Sequence, residues 1–311
     1  MINGIHHITA IAGDPQENYD FYTGVMGLRL VKRSINQDAP DTYHLFYADG
    51  DGNPGTDLTF FPWPTMGPAK DGAGKATEVA FAVRTGSLPY WKERLLAHNI
   101  DVTEETRFGA THLVFRDVHG LGLAITETDN PDSRPFAVWE KSPVPAEHQL
   151  LWMHAARMLL RDRRNTDLLL TKVMDFAYLG EDNGWHRYGS GDGGSGTLVD
   201  IQENPSLGAG RWGTGGIHHI AWRVANSEEE MMVREKVQRV GLSPSPQIDR
   251  FWFKSVYFQE PGGVLFEIAT DGPGFDRDED PTKLGEKLIL PPWYEPQREA
   301  IERGLPELTT R

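Results

Sequence analysis

The five residues Gly4-Ile5-His6-His7-Ile8 recur letter for letter as Gly216-Ile217-His218-His219-Ile220. Two strand-like copies of one paired-histidine segment, far apart in the chain, point to a fold built by duplication. Histidine is also the commonest protein ligand for transition metals. A carboxylate candidate, Glu267, lies in the strand-like run Gly262-Gly263-Val264-Leu265-Phe266-Glu267-Ile268. The chain has no cysteine, so any metal must be held by nitrogen and oxygen. Two histidines and one carboxylate form the facial triad of mononuclear non-haem Fe(II) oxygenases. Adjacent residues of a regular strand point to opposite faces. His6 and His7 therefore cannot both face one ion directly, and neither can His218 and His219. The residues alone leave open which of each pair would do so.

The rest of the chain supports duplication. Four segments share one pattern: a strand, a helix, then about three strands. The first begins at Ile5–Ile11. Asp14-Pro15-Gln16-Glu17 reads as a helix start, Gly27 as its end, and strands follow near 29–33, 43–48 and 58–61. The second begins at Thr77–Val83, with a helix from Ser87-Leu88-Pro89 and strands at 111–116 and 121–126. After a proline-rich linker at 131–145, the third takes up residues 150–202, with a helix near 165–174. The fourth begins at Ile217, with a capping box at Ser227–Glu230 and strands at 252–258 and 264–269. The expected class is α+β: four βαβββ modules forming two cupped-sheet halves. The domains read as 1–136, 146–272 and a C-terminal strap or lid at 273–311.

A net charge of −14 argues against a phosphate-binding surface, hence against nucleic acid. No stretch approaches the 18 or so apolar residues of a membrane span, and the N-terminus lacks a signal-peptide pattern. The expectation is a soluble, cytoplasmic protein without a membrane partner. Assembly into a homo-oligomer is left open.

With these motifs in this order, the chain resembles the vicinal-oxygen-chelate, or glyoxalase-fold, superfamily. Within it the chain is most similar to the hydroquinone-type ring-cleaving dioxygenases, relatives of extradiol catechol dioxygenases that act on para-diols. The likeness runs through Ile5–Thr9, Val25-Met26-Gly27, Val31-Lys32-Arg33, Tyr43–Asp49, Pro54-Gly55-Thr56, Thr106–Gly109, Ile217-His218-His219 and Pro261–Glu267.

The resemblance implies cupped sheets around a metal, with modules 1 and 4 paired and modules 2 and 3 paired. It selects His7, His219 and Glu267 as ligands, for Fe(II), with Mn(II) able to occupy the same set and Zn(II) able to replace iron during purification. Tyr257 and Arg250 match positions associated with substrate handling. Arg250 would meet a phenolate or developing charge on oxygen, and Tyr257 would donate a hydrogen bond during ring opening. His6, Thr9 and His218 would orient the ligands or shuttle a proton. Trp63, Trp252, Phe253 and Trp293 are candidates for an aromatic wall. Within the repeat, His154 falls roughly where His7 does and Asp200 near Glu267, with no second histidine to complete that set. The first-module counterpart of Glu267 reads as a phenylalanine near 60–61.

The expected activity is insertion of O2 into a hydroquinone-type aromatic diol. The alternatives are a glyoxalase-type isomerase or lyase, which would use a fourth protein ligand and no O2, and a non-catalytic binder of a small aromatic compound.

Overall fold

The computed structural model describes residues 1–310. Among these residues, sixteen strands alternate with short helices. The strands are β1 (Ile5–Ala12), β2 (Arg29–Asn36), β3 (Ala39–Ala48), β4 (Asp57–Pro62), β5 (Lys75–Arg84), β6 (Thr103–Arg107), β7 (Ala110–Arg116) and β8 (Gly122–Thr128). They continue as β9 (Met153–Leu160), β10 (Ala177–Asp182), β11 (Trp185–Gly189), β12 (Leu198–Glu203), β13 (Ile217–Val224), β14 (Ile248–Asp249), β15 (Lys254–Gln259) and β16 (Leu265–Thr270). The helices are α1 (Pro15–Tyr19), α2 (Leu88–Ala97), α3 (Arg164–Leu168), α4 (Ser227–Arg239) and α5 (Arg298–Gly304).

The strands form two curled eight-stranded sheets. One runs β14-β15-β16-β13-β1-β4-β3-β2 and the other β10-β11-β12-β9-β5-β8-β7-β6. Modules 1 and 4 share the first sheet, and modules 2 and 3 share the second. Each sheet is joined at its middle by an antiparallel pair of first strands, β1 with β13 and β5 with β9. One strand face supplies a continuous core. It includes Ile8, Ile220, Phe266 and Ile268 from the first sheet, Val79, Phe81 and Leu123 from the second, and Tyr22, Trp91, Leu170 and Val237 from the helical segments. The opposite face lines each cup.

Asp14 caps α1 as its sequence implies, accepting from the amides of Gln16 and Glu17. Helix α4 starts one residue away from the expected box. Asn226, with extended backbone, accepts from the amides of Glu228 and Glu229, and Ser227 is already inside the helix. Two of the four module helices, α1 and α3, are a single turn that widens into a π-helical turn, at Asp20–Val25 and Leu169–Val173. The tail after Asp271 packs on the first sheet. Buried Lys32 donates to Phe275 O at 3.0 Å and Asp278 Oδ1 at 2.8 Å, and it also pairs with Glu279. Three tail acceptors satisfy a buried ammonium, which fixes this part of the strap.

Candidate metal centre

His7 comes from β1, His219 from β13 and Glu267 from β16, three neighbouring strands of the first sheet. All three side chains are buried. His7 Nε2 lies 3.2 Å from His219 Nε2, and Glu267 Oε2 lies 2.8 Å from His219 Nε2 and 3.3 Å from His7 Nε2. An ion with bonds of ~2.1–2.2 Å at right angles would hold its ligand atoms ~3.0–3.1 Å apart. The triangle therefore has the dimensions of one face of such an ion. Glu267 Oε2 is buried and aligned for a hydrogen bond with neither histidine, although it is close to both. Among the described residues, this is the one cluster of three or more metal-ligating side chains.

The neighbouring histidines orient this set. The β1–β13 register steps from Ile5↔Trp222 to His7↔Ala221, and from Thr9↔His219 to Ala10↔Ile217. His6 is thus the extra residue of one β-bulge and His218 of the other. Strict alternation predicts that these histidines turn away from their neighbours. The bulges break that alternation. His6 Nδ1 lies 2.9 Å from His7 Nδ1, and His218 Nδ1 lies 2.8 Å from His219 Nδ1. His6 Nε2 donates to the Thr270 carbonyl at 3.1 Å, so its Nδ1 is left to accept from His7 Nδ1–H. That tautomer directs a bare Nε2 lone pair of His7 into the triangle. Ser255 donates to Glu267 Oε1 and fixes the carboxylate. Ser255 carries no motif that would have marked it in the sequence. Its role follows from the β15–β16 pairing, where it stands opposite Ala269 and reaches diagonally to Glu267, two residues along the same face.

The electrostatics reflect the close approach of one carboxylate to two imidazoles. Burial opposes ionisation of Glu267, but His7 and His219 beside it hold its carboxyl well below the usual range. Burial likewise opposes protonation of His7, and Glu267 outweighs it, raising this histidine. Burial pushes His6 and His218 down to about 3. The donor set of two imidazoles and one carboxylate, in this geometry, fits a divalent ion.

A narrow cavity of about 30 Å³ opens beside the triangle. Phe46, Phe61, Trp252 and Phe253 line it together with His44, Arg250, Tyr257 and Asp38. Arg250 Nε meets Tyr257 Oη at 3.3 Å. Tyr257 sits opposite Glu267 on β15. Burial and the nearby Glu267 raise the Tyr257 phenol, keeping it protonated and able to donate. Thr9 does not reach the triangle; its Oγ1 pairs with Thr59 Oγ1 at 2.7 Å, and Thr59 pairs with His44 Nε2 at 2.9 Å. His44 lies within the Tyr43–Asp49 likeness with no role assigned to it there, and nothing local marks Thr59. Of the aromatic candidates, Trp252 and Phe253 line the cavity, Trp63 packs against Phe61, and Trp293 packs against Phe251 and stays partly exposed.

Strand register corrects two repeat alignments. Ala221 pairs with Glu267, and Thr9 pairs with Thr59, so the first-module counterpart of Glu267 is Thr59 and not a phenylalanine. In the second sheet the register steps from Ala80↔Ala155 to Phe81↔Met153. His154 is therefore a bulge residue, equivalent to His6 and His218, and Ala155 takes the place of His7. Gap-free alignment from glycine turns misses such one-residue offsets.

Residues 4–125 match the family described as the Glyoxalase/Bleomycin resistance protein/Dioxygenase superfamily. MhqO of Bacillus subtilis (strain 168), named as a ring-cleaving dioxygenase, is 41% identical over 302 residues, 97% of this chain and 95% of that protein. The chain belongs to this superfamily. A second superfamily relative, a chlorohydroquinone/hydroquinone 1,2-dioxygenase of Sphingobium indicum, is 32% identical over 98% of this chain and 96% of its own length. A crystal structure of a protein described as a dioxygenase from Bacillus subtilis subsp. subtilis str. 168 superposes with a TM-score of 0.94, at 40% identity, covering 100% of this chain and 98% of that one. Glyoxalase I from Zea mays shares the fold, with a TM-score of 0.63 at 13% identity over 86% of this chain and 92% of its own. No helix among the described residues is long and apolar enough to cross a membrane.

Proposed function

We propose that this chain is an Fe(II)-dependent ring-cleaving dioxygenase that inserts O2 into hydroquinone-type aromatic diols, with His7, His219 and Glu267 as the iron ligands. The observation that carries this reading is the His-His-Glu triangle opening onto an aromatic-walled cavity, in a chain whose full-length relatives carry ring-cleaving dioxygenase names. Bound iron would supply electron transfer between the diol and O2 at its remaining positions. The protein does the rest. Phe46, Phe61, Trp252 and Phe253 hold the ring and exclude water. Arg250 stabilises negative charge on the oxygens of the opening ring, and Tyr257 donates a hydrogen bond to them. His6 and His218 hold the ligand imidazoles through their Nδ1 atoms, and Thr9 anchors His44 through Thr59.

Thr59 bears on the isomerase alternative. It stands where that chemistry would place a fourth, carboxylate ligand, and a threonine offers none. The sequence halves 1–136 and 146–272 would then be the duplicated units, with 273–311 a strap over the first sheet, and a cysteine-free acidic chain suits the cytoplasm.

The test is anaerobic reconstitution with Fe(II), followed by oxygen uptake with a panel of hydroquinones and catechols. The reading expects O2 consumption to follow iron content, with hydroquinones preferred. Catechols turned over faster than hydroquinones would refute the para-diol assignment. Turnover without O2, supported by Ni(II) or Zn(II), would refute the dioxygenase.

A further inference from the structure

The cavity contains one cation outside the metal triangle, Arg250, and that cation already has a partner. Asp38 grips its guanidinium in a two-pronged pair, with Nη2 to Oδ2 at 2.8 Å and Nη1 to Oδ1 at 3.2 Å. The Arg250 side chain is 14% exposed and that of Asp38 73%, so the pair spans from the cavity interior to its mouth. The two residues come from different modules, Asp38 from the β2–β3 turn and Arg250 from the segment between β14 and β15.

That placement is built. Asn36 Oδ1 accepts from the Asp38 amide at 2.9 Å, which shapes the turn. Gln37 Nε2 donates to the backbone carbonyl of Arg250 at 2.9 Å. Tyr294 of the C-terminal strap donates to the Gln37 carbonyl at 2.5 Å. The turn is thus tied both to the arginine it faces and to the strap beside it. Asp38 also lines the cavity together with the aromatic wall.

The consequence concerns what can enter. An arginine fork matches a carboxylate in two-point geometry. Were Arg250 free, an aromatic acid would find a ready partner beside the metal triangle. Here that fork is occupied, and the occupant is itself an anion at the entrance. A carboxylated ring would have to displace Asp38 and then lie beside it. A neutral ring meets no such competition. Discrimination of this kind arises from opposing the wrong ligand as much as from attracting the right one.

We infer that Asp38 sets the charge selectivity of the cavity, admitting neutral aromatic diols and turning away those that bear a carboxylate; this rests on the diol-binding reading of the same site. The experiment measures binding in the Fe(II)-reconstituted full-length chain without oxygen, by calorimetry, using methylhydroquinone and 2,5-dihydroxybenzoate as probes. The wild-type chain should bind methylhydroquinone more tightly. Asp38→Asn should move the ratio of the two dissociation constants toward the carboxylate by about tenfold, the scale of one relieved like-charge contact. Asp38→Ala should move it the same way, and Asp38→Glu should retain the wild-type ratio. Adding Arg250→Leu to Asp38→Asn should cancel the gain. A ratio within twofold of wild type in both Asp38→Asn and Asp38→Ala would overturn the inference alone, with diol binding intact. A gain that survives loss of Arg250 would also overturn it. Failure of both probes to bind the wild-type chain would instead remove the diol-binding reading, and this inference with it.

Discussion

The two cups are built from the same modules and differ in how they handle buried charge. In the first, His7, His219 and Glu267 converge and Thr59 occupies the fourth related position. In the second, Ala155 and Glu78 stand where the two histidines stand, and Asp200 and Ala124 where Glu267 and Thr59 stand. The second cup therefore retains two carboxylates and lacks both imidazoles. Three arginines answer them. Arg187 grips Asp200 at 2.8 and 2.9 Å, Arg107 grips Glu78 at 2.5 and 3.1 Å, and Arg157 lies 3.8 Å from Glu78 and 3.7 Å from Asp200. Arg157 stacks on Trp185 and Arg187 on Phe108. Where the first cup offers converging lone pairs, the second supplies its own cations from side chains. A buried carboxylate must be compensated, and the neighbouring strand residues decide whether by an arginine or by an external ion.

The sharpest way to break this comparison is to remove a ligand from one cup and add one to the other. Glu267→Ala and His7→Ala should lower metal affinity by more than roughly 100-fold, beyond the ~10–100-fold loss typical of an orienting partner and expected for Ser255→Ala. Ala155→His should create no metal site, because Arg157 and Arg187 already occupy its surroundings. Elemental analysis after dialysis checks both, and stable metal uptake by the second cup in Ala155→His would dissolve the contrast.

The next effect is on stability. Arg187→Met leaves Asp200 buried without its two-pronged partner and should cost about 3–5 kcal/mol in urea unfolding, with metal content unchanged. A loss below about 1 kcal/mol would mean that Arg157 alone can compensate Asp200.

Smaller still are the effects on rate. Tyr257→Phe and Arg250→Ala should each keep metal content and lower kcat/KM by roughly 10²-fold, as loss of a preorganised donor does. Iron lost in step with rate would show instead that they maintain the site.

The last effect is a slope. In the second cup, burial pushes His112 and His154 down to about 3 from 6.5. Between these values the unfolded chain binds protons that the folded chain does not, so stability falls as pH falls below about 6.5. Each histidine contributes up to about 1.4 kcal/mol per pH unit in that window. The double variant His112→Asn/His154→Asn should show a shallower decline of its urea midpoint between about pH 6.5 and 4.5. An identical decline would place the acid sensitivity elsewhere.

Taken by itself, the sequence determined the features that depend on local pattern. Repeated strand-helix-strand periodicity, the duplicated Gly-Ile-His-His-Ile segment, the Asp14 cap and the absence of cysteine are all statements about neighbours along the chain. They sufficed for the module count, the α+β class and the ligand chemistry available. Tertiary structure decided what depends on register. A single extra residue in each central strand places His6 and His218 against their neighbours and puts His154 in their class, while the parallel pairing of β1 with β4 and of β13 with β16 makes Thr59 the counterpart of Glu267. No periodicity argument detects an offset of one, because a bulge is a property of a strand pair and not of a strand. Ser255, His44 and Asp38 each act through a residue on another strand or in another module of the first sheet, brought near only when that sheet assembles and curls.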